Sequence, residues 1–304
     1  MNEKSELQAR IESGEQLLIA ELSPPKSGNP DLVRQRAQLY AGKVHALGVS
    51  DNRDGAAMSA LAAASIVASE GVEPILHVVT RDRNRIALVS ECLGAQALGV
   101  HNILCTTGTH HTLGPARAAK NVFDLDSVQL LQTYANLTTD GSVVGEERFE
   151  GAGPFCLGAV ATPYADPPEM QMMRLAKKIA AGAQFLITQP IFDVERFEAF
   201  WGEVTQRGFH EKVAILAGIR VLSDSNTTKI YAESRPSPNI PEPLLARMSA
   251  KTEAEPQLAE GKAIAVETIQ RLSQLPGLRG FEIDGDGNDE AVLSVIDSSG
   301  LGAN

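Results

Sequence analysis

Short apolar runs rich in β-formers alternate along this chain with stretches whose apolar positions recur every three or four residues. The runs are "LLIAELS" (17–23), "VHALGVS" (44–50), "PILHVVT" (74–80), "NILCTT" (102–107), "FCLGAVA" (155–161), "FLITQP" (185–190), "VAILAGI" (213–219) and "LRGFEID" (278–284). Between them the spacing predicts helices over Asp31–Tyr40, Ala56–Ser69, Arg83–Leu98, Ser127–Leu137, Pro168–Ala181, Val194–Arg207, a pair of segments after Ser223, and Pro256–Gln274. Pro30 falls near a first helical turn and Asp166 in "DPPEM" is placed to act as an N-cap. Strands that are apolar on both faces and separated by helices predict a parallel sheet, and eight such units predict a closed (β/α)8 TIM barrel. A doubly wound sheet is the alternative, weakened because no GxGxxG follows any strand.

The loops at 109–126 and 135–154 are longer than ordinary connections, and loops of that length usually carry function or move. The Pro-rich stretch 233–250 reads as part of a helical excursion near residues 223–250, too short to link two domains. Residues 1–304 are therefore expected to form a single barrel domain.

Composition narrows the function. With 43% hydrophobic and 21% charged residues, the 304-residue chain can bury a large core. A formal charge of −11 speaks against a nucleic-acid partner but leaves room for a local positive pocket. Cys92, Cys105 and Cys156 lack CxxC spacing and lie in apolar or helical stretches, as free buried thiols do. The polar N-terminus has no signal-peptide core, and no apolar run is long enough to span a membrane. A cytoplasmic protein without a membrane partner is expected.

In a TIM barrel the chemistry is built where the strands end. The candidates there are Glu21, Ser50 with Asp51 and Asn52, His77, Thr107 with Gly108 and Thr109, Thr162, Gln189, and Gly218 with Arg220. Glu21 directly follows an apolar run and precedes two prolines, so burial should raise its pKa toward that of a general acid; a structural ion pair is the alternative. His77 reads equally as a structural side chain or as a ligand or base. Gln189 pairs a donor with an acceptor, suited to the edge of an amide-like heterocycle, and "TTGTHH" brings backbone N–H groups and hydroxyls to one mouth. His110 and His111 have no accompanying ligand set, so no metal is expected. P-loop, HExxH, GxSxG and kinase patterns are absent, and "GDGND" (285–289) reads as a surface turn rather than a calcium loop.

Taken in order, "AELSPPKSG", "HALGVSDNRDG", "EPILHVVTRDRNR", "NILCTTGTHH", "AKNVFDLDSVQLL", "GAVATPYADPPE" and "KKIAAGAQFLITQPIFDVERF" resemble the methylenetetrahydrofolate reductase family, with a weaker echo in "IPEPLLARM" and the last strand. The resemblance implies a TIM barrel that holds FAD at its C-terminal strand ends. It also implies interconversion of 5,10-methylenetetrahydrofolate and 5-methyltetrahydrofolate by hydride transfer through the flavin, with NADH or NADPH as electron donor. That would place the chain in one-carbon metabolism and methionine biosynthesis.

Carried over block by block, Glu21 matches the catalytic glutamate that protonates the folate. Gln189 and Thr109 match substrate-binding positions. Ser50, His77, Thr107, Gly108, Thr109, Asp126, Thr162, Asp166 and Lys178 match FAD-contact positions. Lys178 is where a cation would meet the pyrophosphate. The pattern departs where the family usually has an acid, here Thr109, and where some members have arginine, here Thr107. It departs again near Arg220, Val221 and Ser225, where a proline and an aromatic residue are common. Two other functions stay open on these grounds: a flavin-independent reductase taking hydride directly from a nicotinamide, and a non-redox folate-binding subunit of a larger assembly. A homo-oligomer or a redox partner subunit is compatible with each.

Overall fold

The computed structural model describes residues 4–150, 153–234 and 238–302. Its centre is a closed barrel of eight parallel strands in sequence order: β1 (Leu17–Leu22), β2 (Ala46–Val49), β3 (Pro74–Val79), β4 (Asn102–Thr106), β5 (Cys156–Ala161), β6 (Phe185–Pro190), β7 (Ala214–Arg220) and β8 (Gly280–Asp284). Strand β8 pairs back onto β1, with Ile19 opposite Glu282. All eight predicted strands are present, each end within two residues of expectation.

Eleven α-helices are found among the described residues: α1 (Glu6–Ser13), α2 (Asp31–Tyr40), α3 (Ala60–Ser69), α4 (Arg85–Ala97), α5 (Ser127–Asp140), α6 (Pro168–Ala180), α7 (Val194–Gln206), α8 (Ser225–Ala232), α9 (Glu242–Ser249), α10 (Ala254–Leu272) and α11 (Asp289–Ser299). Helices α8 and α9 are the predicted excursion, of which residues 235–237 lie outside the described set.

Several expectations are corrected. Helix α3 begins at Ala60 rather than Ala56, so the loop after β2 is longer than predicted. Helix α5 continues to Asp140 and stops at Gly141, whose φ of 72° is the left-handed C-cap that glycine adopts without strain. The loop expected from 135 therefore starts at 141, and its residues 151–152 are outside the described set. Asp166 does not cap α6: Pro167 occupies that position and offers no side-chain acceptor. Helices α1 and α11 were not predicted at all.

The period-2 alternation of each strand divides the interior into two shells. Leu17, Ile19, Ala46, Ile75, Leu104, Cys156, Phe185, Ile187, Ala214 and Leu216 fill the inside of the barrel, joined by Leu7 from α1. The intervening positions, such as Leu18, Ala20, Leu47, Leu76 and Ile103, pack outward against the helices. Gly158 is required here, because a Cβ on it would lie 2.3 Å from the Phe185 ring. All three cysteines are free and buried, and burial pushes their thiols up.

Barrel closure is fastened on the outside by Arg36 of α2. Its guanidinium meets Asp289, the first residue of α11, at 2.6 and 2.8 Å and donates to the Ser23 carbonyl at 2.7 Å. Tyr40 donates to the same aspartate at 2.9 Å.

Candidate active site

The alternation that sends Leu17 and Ile19 into the barrel sends Glu21 there too, at the end where the strands terminate. Its carboxylate does not stand alone. Arg53, on the loop after β2, places Nη1 2.6 Å from Glu21 Oε1 and 2.9 Å from Asp284 Oδ2, while Nη2 reaches Asp286 at 3.1 Å. From the end of β7, Arg220 meets Asp284 at 3.0 Å and Asp286 at 2.5 Å. The Arg220 guanidinium also lies 4.4 Å over the centre of the Tyr231 ring, a cation–π contact. With Asp54, 3.6 Å from Arg53 Nε, two arginines and four acids thus form one network joining the ends of β1, β7 and β8 to the loop after β2.

Burial pushes the Glu21 carboxyl up to about 7; Arg53 pulls it down and Asp284 pushes it further up. A pKa near neutrality is what a general acid needs. Asp284 goes the other way: its two arginine partners outweigh burial and hold it below the usual carboxylate range.

Beneath this network lies a buried floor of Glu282 and His77. Glu282, one inward step down β8, is buried and makes no hydrogen bond or ion pair among the described residues. Burial, reinforced by the charge on Glu21, raises its pKa well above the ordinary carboxylate range. His77 on β3 is depressed to about 3, by burial first and by Arg53 second, and its Nε2 is buried without a partner. Gly48 makes room for both: a Cβ there would lie 3.0 Å from His77 Nε2 and 3.6 Å from Glu282 Oε1.

The other predicted site residues are distributed unevenly. Ser50 is buried beside Ser23, with their hydroxyls 3.2 Å apart. Gly108 has φ +81°, and a Cβ on it would strike Val79 at 2.3 Å, so only glycine fits that turn. Thr107 accepts from the Ser127 backbone at 3.0 Å, and Asp126 closes a capping box on α5. Thr162 donates to Gln171 at 2.6 Å. Lys178 is buried, depressed to about 8 by that burial, and donates to the Val160 carbonyl. Asp166 is exposed and pairs with Arg196 at 3.1 Å. A bulge adds a residue to β6 between Ile187 and Pro190, and bulges re-aim side chains at barrel rims. Gln189 lies inside it. The side chains of Gln189 and Thr109 make no hydrogen bond among the described residues.

These residues test the fit to FAD. The unpartnered His77 nitrogen and the uncommitted Thr109 hydroxyl leave polar atoms for a ring system. Lys178 gives one of its three donors to a backbone carbonyl, and Asp126 caps α5 through one carboxylate oxygen, so each keeps capacity for a bound group. The set is compatible with a flavin cofactor.

Sequence reasoning missed Arg53, Asp284, Asp286 and Glu282. The inward acids were legible in strand 8, where "GFEID" alternates and places Glu282 and Asp284 on the barrel face. Arg53 carried no such signal, because it lies in a loop and its partners are scattered, Glu21 32 residues before it and Asp284 and Asp286 more than 200 after it. The turn read in "GDGND" is present, but it holds Asp286 at the mouth, and Asn288 caps α11. Among the described residues no cluster of three or more His, Cys, Asp or Glu side chains is arranged to hold a metal, and no helix is long and apolar enough to cross a membrane.

The family model for methylenetetrahydrofolate reductase matches residues 6–300. The chain belongs to that family. A probable methylenetetrahydrofolate reductase (NADPH) of Caenorhabditis elegans is 24% identical over 236 residues, 73% of this chain but 33% of the relative. The chain thus spans about a third of that relative's length. Among solved structures, a Clostridium thermocellum protein that binds two copies of 5-methyl-5,6,7,8-tetrahydrofolic acid aligns with a TM-score of 0.67 and 15% identity, covering 97% of this chain and 98% of its own. A riboflavin lyase with modified FMN and riboflavin aligns with a TM-score of 0.53 and 10% identity, covering 95% and 93%. At such identities these structures share the fold with this family member.

Proposed function

We propose that the chain interconverts 5,10-methylenetetrahydrofolate and 5-methyltetrahydrofolate at the C-terminal mouth of the barrel. The carrying observation is Glu21, an inward carboxyl at the end of β1 whose burial raises it to about 7. In the reducing direction its proton goes to the folate nitrogen that leaves as the five-membered ring opens. Hydride then adds to the iminium carbon and yields the methyl group. Gln189 and Thr109, uncommitted among the described residues, bind the pterin. Family membership and the folate bound by the Clostridium protein support this substrate class.

FAD is the hydride carrier that family membership suggests, with NADH or NADPH as the donor. A second reading is motivated by Thr109 and Thr107, which stand where the family usually has an acid and where some members have arginine: a nicotinamide passes hydride to the folate directly. The NADPH in the worm relative's name is compatible with either. The deciding experiment is the visible spectrum of the purified protein, followed by anaerobic 5-methyltetrahydrofolate. Flavin bands that bleach establish the flavin route. A colourless protein that oxidises NADH or NADPH with methylenetetrahydrofolate establishes direct transfer. No folate turnover under either condition overturns the proposal.

A further inference from the structure

Beside Arg53, Glu21 holds its proton less firmly than burial alone would dictate. Arg53 Nη1 sits 2.6 Å from its Oε1, and a carboxylate held by a guanidinium is favoured in its ionised form. The same arginine forms part of the wall of a cavity of about 190 Å³ between the loops after β1 and β2. Ser23, Lys26, Ser50, Asn52 and Asp54 also line it; Glu21 does not. Arg53 therefore stands between the cavity and the acid. One ammonium, one guanidinium and two hydroxyls against a single carboxylate suit an oxyanion. The volume is below the ~300–1,000 Å³ of pockets that take a whole ligand, so it suits one charged group of a larger molecule.

The loop that carries Arg53 has no helix or strand from Ser50 to Ser59, with Asn52 at φ 47° and Gly55 at φ 93°. Its guanidinium is held by side-chain ion pairs, which a competing anion addresses directly.

We propose that this cavity is an oxyanion site and that Arg53 is its gate: an anion bound beside Lys26 draws the guanidinium away from Glu21, which then takes up a proton and faces the substrate. With Arg53 withdrawn, Glu21 is left facing Asp284 on β8, Glu282 and His77 below it, the charge of Asp54 on the loop after β2, and Arg220 as the remaining cation. Arg220 stays with Asp284 and Asp286, so the aspartates keep a counter-charge while Glu21 loses its own. The acid thereby holds its proton more firmly when ligand is present. The role of that proton rests on the proposed function above; the gate itself does not. Two sources offer the required oxyanion, the carboxylates of a folate's glutamyl tail and the diphosphate of a nucleotide.

The infrared difference between wild-type and Glu21→Gln protein isolates the Glu21 carboxyl band, which is titrated without ligand, with p-aminobenzoylglutamate and with ADP. One probe is expected to raise the midpoint by about one pH unit, a tenfold gain in proton affinity. A response to p-aminobenzoylglutamate identifies the glutamyl tail, and a response to ADP identifies the diphosphate. Arg53→Met is expected to show the raised midpoint without any anion and no further response, while Arg53→Lys returns the midpoint toward wild type. Lys26→Met keeps the resting midpoint and loses the response, which decides the matter even if Arg53→Met fails to fold. A midpoint that neither probe moves, or that Arg53→Met leaves in place, overturns the gate. Folate turnover measured on the same samples separates the two ideas: its absence with an intact titration overturns the proposed function alone.

Discussion

At the N-terminal end of the barrel the strands are closed by α1, whose Leu7 is fully buried with Leu17, Ile19 and Ile75. Buried polar groups there satisfy one another: Ser5 donates to Asn102 at 2.6 Å, and Asn102 donates to Glu73 and to the Pro74 carbonyl, while the ion pairs Lys4–Glu12 and Arg10–Glu15 stay on the outside. At the C-terminal end the same strands finish in Glu21, Glu282, Asp284 and Arg220, with Arg53 folded over them. The first end removes water and charge, at little electrostatic cost. The second keeps ionisable groups where desolvation perturbs each of them, and strained electrostatics of that kind mark sites of chemistry. One barrel therefore separates its stability from its reactivity along its own axis.

That separation can be broken from either end. Glu21→Gln keeps the shape and removes the titrating proton, so folate turnover should fall by about 10²–10⁴-fold or more with the thermal transition near that of wild type. Equal loss of turnover and of folded protein would contradict the division. In wild-type protein the proposed acid must be protonated to act in the reducing direction, so that rate should decline as pH rises through about 7, and a pH series of initial rates checks it. At the other end, Leu7→Ala opens a cavity under the plug and should cost roughly 2–5 kcal/mol by denaturant titration, with turnover per folded molecule preserved.

A smaller effect is expected where the two halves meet. Gly48→Ala puts a methyl 3.0 Å from His77 Nε2 and should cost about 1–3 kcal/mol while also disturbing the floor under Glu21. The smallest is a change of slope with pH. Glu282 has a folded pKa above its unfolded one, so the folded state holds its proton more tightly; stability is full below the unfolded value and is lost as pH rises toward the folded value. Glu282→Gln should remove that loss, narrowing the stability difference between pH 5 and pH 8. His77 works in the opposite window: depressed to about 3, it contributes stability above its ordinary value near 6.5 that is lost as pH falls.

The barrel was legible because its signal is local. Each strand is a continuous apolar run with turn residues at its ends, and the parity of "LLIAEL" already turns Glu21 inward. Helix α1 was not legible, since its eight residues contribute only Leu7 and Gln8 to the buried set, too few to show a period. Helix α11 did carry the pattern, with Ala291, Val292, Val295 and Ile296 buried on one face, but it lies beyond the eighth strand, where the β/α alternation was already complete. The ion network was the least legible, because Glu21, Arg53, Arg220 and Asp284 are brought together by barrel closure and by no spacing along the chain. Family resemblance pointed to Glu21 and left its counter-ions unnamed.

The fastening of Arg36 and Tyr40 onto Asp289 bears on how the protein is born. A strand at one terminus cannot complete its pairing until a partner from the other has been synthesised, and such distant pairings are made late. A nascent chain that has emerged only as far as β7 still has Glu21, but neither Asp284 nor the floor formed by Glu282. Its glutamate would titrate as an ordinary surface acid. Ribosomal intermediates should therefore be silent until the eighth strand docks, and activity should arrive in a single step with closure.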